Sequence, residues 1–424
     1  MSSGLLTAGS GQSWENDLVA ALDRPGSPMT VLRRCVDIGD VLAIATTGQA
    51  SVAIVSADLR RLDTEAVSAL RAAGVAVVGV HPAADDRARV RLERIGIATL
   101  VSDDAGSTAL LDAARAAVAD LDGRPAPAPA RTVSDPRRAL PPRAVDTDGA
   151  GAFAPPPRGR VVAVWGPTGA PGRTTVATGV ATESARAGIP TLLIDADVYG
   201  GVVASAFGLL DESPGLAGAC RSAANGRLDL AGMTVLCWSL GDDLRLLTGI
   251  SRADRWPEVR PSAIPSVLAV AREMAPLTIV DCGFCLEADE EITFDTMAPR
   301  RNGATLAVLA EADVVLAVGS GDPPGMERLI RGLAELGDAL PGVTARIVLN
   351  RCRPGAASGD EAPDAVRRFA DAQVVAQLPE DRGATDKAWR RGHSLAEVAP
   401  DSPLTRELRD LAASVAPVVA RASS

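Results

Sequence analysis

The chain has 424 residues, of which 47% are hydrophobic but only 3% aromatic, so its cores must be built mainly on aliphatic side chains. This length is typical of two or three domains rather than one. A formal net charge of −10 argues against strong nucleic-acid binding. Scattered cysteines, no signal-peptide pattern and no apolar run of the roughly 20 residues that a membrane span needs predict a cytoplasmic protein.

The first part of the chain alternates short apolar strands with helical patterns. We predict strands at Leu18–Leu22, Met29–Leu32, Ser51–Val55, Val75–Val80 and Ala98–Val101. We predict helices at Val36–Thr47, Thr64–Ala73, Arg87–Ile95 and Ser107–Leu121. Strands and helices that alternate at this spacing predict a small parallel sheet covered by helices on both faces, in a domain spanning residues 1–122.

This pattern resembles the receiver domain of response regulators, in which a phospho-accepting aspartate ends the third strand. Here the third predicted strand runs into Ser56, and no lysine stands near Ser102, where the family has one. Asp23 alone follows the first predicted strand, where the family has paired acidic residues. The resemblance therefore implies a degenerate receiver used for docking or localisation. The alternative is an unrelated flavodoxin-like module.

Residues 123–158 are rich in proline and alanine and have neither helical nor strand periodicity. Such a composition is typical of a semi-extended, disordered linker. The βα alternation resumes after it, which predicts a second domain over residues 159–424. The predicted fold class is α/β, with two doubly wound parallel-sheet domains joined by this linker.

The most informative segment of the second domain is residues 160–175. A predicted strand, Arg160–Trp165, leads into a turn rich in glycine and proline, and a helical pattern follows over Val176–Arg186. Loop N–H groups and the positive end of a helix together form a site for a polyphosphate, and the glycines allow its close approach. We predict nucleotide contacts from Gly169, Ala170, Pro171, Gly172, Arg173, Thr174 and Thr175.

Further polar side chains are predicted at the carboxyl ends of other strands. These apolar strands are predicted at Thr191–Asp195, Thr234–Trp238, Leu277–Asp281, Val314–Gly319, Ala345–Asn350 and Val374–Gln377. Open α/β sheets bind their ligands at this edge. Asp195, Asp197, Asp281 and Asn350 are therefore candidate site residues.

Taken in order, these motifs resemble the MinD/ParA family of deviant Walker ATPases over about 260 residues. The resemblance implies an ATP-binding protein that uses Mg²⁺ and forms a homodimer around the nucleotide. It implies that Thr174, Asp195 and Asp281 hold Mg²⁺ and that Asp197 acts on the attacking water. It also implies that Asn350 hydrogen-bonds the adenine.

The same resemblance places Pro379 beside the base, and it exposes two departures from the family pattern. Thr168 stands where the family has a signature lysine that reaches across the dimer to the partner's nucleotide. Arg173 replaces the second lysine, so we treat Arg173 and Asp197 as the two residues on which hydrolysis depends. The replacement of both lysines leads us to expect slow hydrolysis.

A receiver-like domain joined by a linker to this ATPase domain is similar to the CpaE/TadZ group. That group positions the machinery of Flp-type pili, and related proteins are septum-site regulators. The resemblance implies a spatial regulator of pilus-assembly or cell-division proteins, recruited to the inner face of the membrane by partners. One alternative is a non-hydrolysing scaffold, which Thr168 and Arg173 favour. The other is a DNA-partitioning ATPase, which an acidic chain with a single lysine, Lys387, disfavours.

Two weaker patterns have structural explanations. The Cys282/Cys285 pair is a CxxC motif without the second pair that a zinc site requires, so we expect two structural thiols. The last predicted helix, from Pro403 to Arg421, has one apolar face and few basic residues after it. We therefore expect it to pack on the sheet rather than bind a membrane.

Overall fold

The computed structural model describes residues 3–9, 11–23, 29–121, 158–169, 171–209, 215–287, 300–353, 364, 366 and 372–417. Contacts divide the chain into two compact units, Met1–Pro157 and Arg158–Ser424. Each unit contains a sheet of mainly parallel strands with helices packed against it, which confirms the predicted α/β fold class. Among the described residues, no helix has the length and apolar character to cross a membrane.

The first unit is a parallel sheet with a hydrophobic layer on each face. Its described strands are β1 Ser3–Ala8, β2 Met29–Arg34, β3 Ala50–Ser56, β4 Ala76–His81 and β5 Thr99–Ser102. Its described helices are α1 Ser13–Leu22, α2 Ile38–Ala45, α3 Thr64–Ala72, α4 Asp86–Arg94 and α5 Gly106–Leu121. The strand order β2-β1-β3-β4-β5 is that of flavodoxin and receiver domains. One layer packs against α2, α3 and α4, and the other packs against α1 and α5.

The predicted strand Leu18–Leu22 is wrong, because these residues form the second half of α1. Trp14, Leu18 and Leu22 recur every four residues and all three are buried, which is the spacing of one helix face. A window of five apolar residues does not distinguish a helix from a strand. The first strand is instead Ser3–Ala8, so Asp23 follows a helix and does not follow the first strand.

Ser56 ends β3, the position at which receiver domains carry their acceptor aspartate, and it lies in a closed hydrogen-bond network. Its hydroxyl donates to Gln12 Oε1 at 3.1 Å, and Trp14 Nε1 donates to the same oxygen at 2.6 Å. Gln12 Nε2 donates to Asp58 Oδ2 at 2.9 Å. Ser56 is 2% exposed, so a neutral, buried hydroxyl occupies this position.

We expect that acetyl phosphate does not phosphorylate this unit. A serine hydroxyl does not form an acyl phosphate, and the network around Gln12 shields Ser56 from a donor. Intact-mass analysis after incubation should show no added phosphate, while a receiver domain with an acceptor aspartate, treated in parallel, should be labelled. Labelling at Asp58 or Asp63 would contradict this expectation.

The second unit is built on a larger sheet with the strand order β13-β12-β11-β6-β10-β7-β9-β8. Its described strands are β6 Arg160–Trp165, β7 Thr191–Ala196, β8 Trp238–Ser239, β9 Leu244–Leu247, β10 Leu277–Cys282, β11 Val314–Ser320, β12 Ala345–Cys352 and β13 Val374–Pro379. Its described helices are α6 Arg173–Arg186, α7 Val203–Ala206, α8 Gly215–Ala224, α9 Leu230–Leu236, α10 Ile264–Met274, α11 Gly303–Glu311, α12 Pro323–Ala339, α13 Arg382–Arg391, α14 Leu395–Val398 and α15 Pro403–Val415. Every described pair is parallel except β8 with β9.

The central strands of this sheet are buried on both faces, which explains why their sequences are apolar without alternation. In β6, Val161 and Trp165 belong to the hydrophobic layer that includes α8, α10 and α12. Val162 and Val164 point to the opposite layer, which includes α6 and α15. Because both faces are covered, polar groups for a ligand are left to the strand ends.

The predicted strand Thr234–Trp238 is also wrong. Residues Leu230–Leu236 form α9, whose first turn is capped by Asp229 accepting a hydrogen bond from the Gly232 N–H at 2.7 Å. Only Trp238 belongs to a strand, the two-residue β8. The prediction missed Leu244–Leu247, which is β9 and pairs with β7. The aspartate cap favours a helix in this segment, although Thr234 and Val235 are β-branched.

The last described helix, α15, packs on the sheet. Its buried face consists of Leu404, Leu408, Leu411 and Val415, all at most 2% exposed. Gly179 of α6 lies directly against Leu408, because a Cβ at Gly179 would come within 2.6 Å of that side chain. The remaining residues of the predicted helix, from 418 on, lie outside the described part of the chain.

Candidate nucleotide site

The loop between β6 and α6 turns sharply at glycines and ends on an uncapped helix. Gly172 precedes α6 with φ of 101° and no side chain caps the helix there. Gly169 has φ of 100°, and both angles lie in the region that favours glycine. The N–H groups of the first turn of a helix have no intrahelical partner. This end of α6 therefore offers N–H donors and a positive dipole end to an anion.

Asn350, at the carboxyl end of β12, is hydrogen-bonded to this loop. Its Nδ2 donates to the Pro171 carbonyl oxygen at 2.8 Å, and the side chain is 5% exposed. A Cβ at Gly172 would lie 2.2 Å from the same nitrogen, so only glycine fits. Pro379 ends β13, where it pairs with Cys352 of β12. Contacts of Asn350 and Pro379 with a base remain predictions, and Ala170 lies outside the described residues.

Arg173, the first residue of α6, is directed at four oxygen atoms. Its guanidinium donates to the carbonyl oxygens of Cys282 at 3.1 Å, Gly166 at 3.3 Å and Pro167 at 3.4 Å. Its Nη2 also donates to Asp197 Oδ2 at 3.3 Å, in an ion pair whose side chains are 12% and 8% exposed. The two residues assigned to hydrolysis are thus bound to each other.

The turn after β7 is organised by its two aspartates. Asp195 Oδ1 accepts from the Asp197 N–H at 3.2 Å, and Asp195 Oδ2 accepts from the Val203 N–H at 3.1 Å. Asp197 Oδ1 accepts from the N–H groups of Tyr199 at 2.9 Å and Gly200 at 3.2 Å. These bonds point Asp197 Oδ2 toward Arg173 and hold both carboxylates at the edge of the sheet next to the loop.

Asp281, at the end of β10, is the third aspartate at this edge of the sheet, beside Asp195 and Asp197. Thr174 Oγ1 donates to Asp281 Oδ2 at 2.7 Å, whereas Asp281 Oδ1 is buried and has no hydrogen-bond partner. Strands β10 and β7 are adjacent, and Asp281 is in register with Asp195. Two buried carboxylates and one hydroxyl therefore lie side by side under the start of α6.

The electrostatics of this pair call for a cation. Burial raises the pKa of Asp195 to about 7, although the hydrogen bonds that it accepts from the N–H groups of Val203 and Asp197 act in the opposite direction. Burial, and then the negative charge of Asp195, raise the pKa of Asp281 well above its usual value. Among the described residues no three acidic, histidine or cysteine side chains converge as a complete metal cage. This donor set fits Mg²⁺, which is usually held by one or two carboxylates together with waters and substrate phosphates.

Replacing Asp281 with asparagine is expected to raise the melting temperature of the metal-free protein at pH 8. A carboxyl whose folded pKa is raised contributes stability that is full below its unfolded pKa and is lost as the pH rises through the folded pKa. For Asp281 the loss begins above the usual pKa of 3.8 and extends to a folded pKa well above that value. The wild type should therefore lose stability as the pH rises above 3.8, and Asp281→Asn, which has no ionisable group there, should flatten the curve. Thermal melts in chelator give the comparison, and an unchanged pH profile would contradict it.

Several contacts at the site have no sequence signal. Tyr199 Oη donates to Asn302 Oδ1 at 2.5 Å, and the Arg301 guanidinium lies 4.0 Å from the centre of the Tyr199 ring. Arg328 of α12 lies against Gly169 of the loop. Tyr199 lies in the turn after β7, whereas no motif marks Arg301, Asn302 and Arg328, because they reach the site only through the packing of α11 and α12. The Cys282 thiol is fully buried, which raises its pKa well above the usual value.

Comparison with known proteins places this geometry in a known fold. No protein-family model matches the sequence, and a search of curated proteins gave no significant match. A ParA family ATPase from Chlorobium tepidum superimposes with a TM-score of 0.52 at 19% identity, over 60% of this chain and 98% of the other. The chain contains the ParA ATPase fold. The cell division ATPase MinD from Pyrococcus furiosus is similar at 17% identity and a TM-score of 0.48, over 61% and 98% of the two chains.

The likeness at this level of identity is one of fold. The features particular to this chain are the Arg173–Asp197 ion pair and the Thr174–Asp281 hydrogen bond.

Proposed function

We propose that this chain binds ATP with Mg²⁺ at the β6–α6 loop and acts as a nucleotide-dependent spatial regulator. The observation that carries the proposal is the Thr174–Asp281 hydrogen bond beneath the loop, with the second Asp281 oxygen buried and unpartnered. A buried carboxylate oxygen without a partner is costly unless a cation or donor joins it. Its position under a helix start that favours phosphate fits a metal bound to a polyphosphate.

In this proposal Thr174, Asp195 and Asp281 hold Mg²⁺. The ion supplies positive charge to the phosphate oxygens when it is bound. The glycines of the loop and the first-turn N–H groups of α6, which include those of Thr174 and Thr175, bind the phosphates. Asn350 and Pro379 contribute to the base side of the site.

Asp197 is proposed to orient the attacking water, and Arg173 sets how readily it does so. In the ligand-free arrangement the carboxylate is held in an ion pair with the Arg173 guanidinium. Because Asp197 Oδ2 accepts from the Arg173 guanidinium, that oxygen is not available to a water while the pair is intact. We therefore propose slow hydrolysis that requires the Arg173–Asp197 pair to separate.

The cellular role is proposed from the fold and the domain order. The chain contains the ParA ATPase fold, and its first unit has a buried serine at the receiver acceptor position. A dimer that forms around ATP and docks partners through the first unit would position pilus-assembly or division proteins at the inner face of the membrane.

Titration of the full chain with a fluorescent ATP analogue tests the proposal. Saturable, Mg²⁺-dependent binding is expected, and Thr174→Val should weaken it by about 10- to 100-fold, as loss of groups around a metal commonly does. Thr178→Val is the matched control, since that hydroxyl donates to the Thr174 carbonyl oxygen one turn further along α6. Absence of saturable binding at millimolar nucleotide would refute the proposal.

A non-hydrolysing scaffold is the second candidate, because the Arg173 guanidinium is already hydrogen-bonded to three carbonyl oxygens and a carboxylate. Nucleotide binding without phosphate release, together with partner binding that does not change with nucleotide, would support this candidate. A DNA-partitioning role is less compatible with the net charge of −10.

A further inference from the structure

One face of α12 supports the first half of the β6–α6 loop. Gly332 lies against the loop, because a Cβ there would come within 3.1 Å of Pro167 Cβ and 3.2 Å of Trp165 Cη2. One turn earlier on the same helix, Arg328 extends over Gly169. A Cβ at Gly169 would lie 2.8 Å from Arg328 Nη1 and 3.4 Å from its Cζ. The guanidinium thus lies directly on the loop backbone.

Arg328 differs from the other arginines near the loop in what it binds. Its side chain is exposed, and within the described part of the chain it makes no ion pair or hydrogen bond. The neighbouring acid, Glu327, is paired with Arg331 at 2.7 Å. Arg173, by contrast, is already bonded to four oxygens. Arg328 is therefore a cation at the loop whose donors are available to a ligand.

We propose that Arg328 is a phosphate-binding residue that contacts the terminal phosphates of a bound nucleoside triphosphate. The inference rests on the proposed function, because it takes the β6–α6 loop as the phosphate site. A guanidinium has five N–H donors in a planar fork that matches phosphate oxygens. Since α12 approaches the loop at Gly169 and not at the start of α6, Arg328 adds positive charge at a point that the first-turn N–H groups do not cover.

This role makes the contribution of Arg328 depend on the number of phosphates. A triphosphate brings most charge to the loop, a diphosphate brings less, and a monophosphate leaves the region around Gly169 unfilled. A residue that merely supported the loop backbone would affect all three nucleotides alike. The dependence on phosphate number therefore separates ligand binding from a structural role.

The experiment measures the affinities of the full chain for fluorescent ATP, ADP and AMP analogues with Mg²⁺. Arg328→Ala should weaken ATP binding by about tenfold or more, the loss expected for a hydrogen bond to a charged group. ADP binding should fall less, and AMP binding should not change. Arg328→Lys should restore part of the loss, because it keeps the charge without the fork. Arg331→Ala, which removes an exposed arginine of the same helix, should bind all three like the wild type.

The outcomes distinguish this inference from the proposal on which it rests. If the unaltered chain binds no nucleotide, the proposed function fails and the inference fails with it. If the unaltered chain binds ATP but Arg328→Ala and Arg331→Ala behave alike, only the inference is overturned. Equal losses for ATP, ADP and AMP also overturn it, since they identify Arg328 as a support for the loop. Arg328→Gln is a second neutral replacement and should behave like Arg328→Ala. Circular dichroism of each variant tests whether the fold is retained.

Discussion

Replacing Gly172 with alanine is expected to weaken nucleotide binding by about 10- to 100-fold, the loss expected when a hydrogen bond to a charged phosphate is no longer made. The residue has φ of 101°, and its Cβ would lie 2.2 Å from Asn350 Nδ2. Asn350 cannot yield easily, since it is 5% exposed and bonded to the Pro171 carbonyl oxygen. The loop must therefore shift, and the first-turn N–H groups shift with it.

The matched control for this variant is Gly188→Ala, just after the other end of α6. Gly188 also has a positive φ, 78°, but a Cβ there would meet nothing within 4 Å. Both variants should lose about 1–2 kcal/mol of stability from the left-handed backbone alone. Only Gly172→Ala should lose nucleotide affinity, as measured by titration of the full chain. Equal affinities in the two variants would show that the loop does not bind the nucleotide.

Replacing Asp197 with alanine is expected to reduce phosphate release by about 10²- to 10⁴-fold, the usual contribution of a group that positions or deprotonates the nucleophile. Nucleotide affinity should change little, because the proposed role of Asp197 is on the water and not on the phosphates. Arg173→Lys should act in the opposite direction and raise turnover. A lysine has one compact charge in place of the fork, so it cannot hold Asp197 and three carbonyl oxygens at once.

Steady-state phosphate release and nucleotide affinity, measured in parallel for each variant, provide the comparison. Adding Thr168→Lys to Arg173→Lys should raise the rate further, and more steeply with protein concentration, if that lysine acts across a dimer. Asp58→Ala, in the first unit, serves as a control that removes an aspartate outside the proposed site. If Arg173→Lys leaves the rate of phosphate release unchanged, the scaffold alternative loses its main support. The proposal that the Arg173–Asp197 ion pair slows hydrolysis loses its support as well.

The outline of the second unit was predictable because its central strands carry a strong local pattern. Continuous apolar runs such as Val161–Trp165 and Val314–Val318 need burial on both faces, and a parallel sheet between two helix layers provides it. Short apolar windows are ambiguous, and longer-range local features decide them. The windows Leu18–Leu22 and Thr234–Trp238 predict strands, but helix-face spacing in one case and an aspartate cap in the other place them mainly in helices.

The candidate site, too, was predictable from the sequence only in part. The positions of Asp195, Asp281 and Asn350 at strand ends follow from the strands themselves, since parallel strands place their carboxyl ends at one edge of the sheet. The hydrogen-bond or ion-pair partner of each side chain does not follow from the strands. The ion pair of Arg173 with Asp197, and the hydrogen bond of Asn350 to Pro171, depend on distances between elements that are far apart in the chain.

From its own residues the sequence determined the α/β class, the glycine-rich loop before α6 and the acidic strand ends. All of these arise from local periodicity and from the backbone freedom of particular residues. Only the tertiary structure decided that Arg173 binds carbonyl oxygens and Asp197, that one Asp281 oxygen is left unpartnered, and that Arg328 of α12 reaches Gly169. Such contacts depend on how helices and strands pack in three dimensions, and single polar contacts between distant elements, unlike a buried helix face, follow no periodic pattern in the sequence.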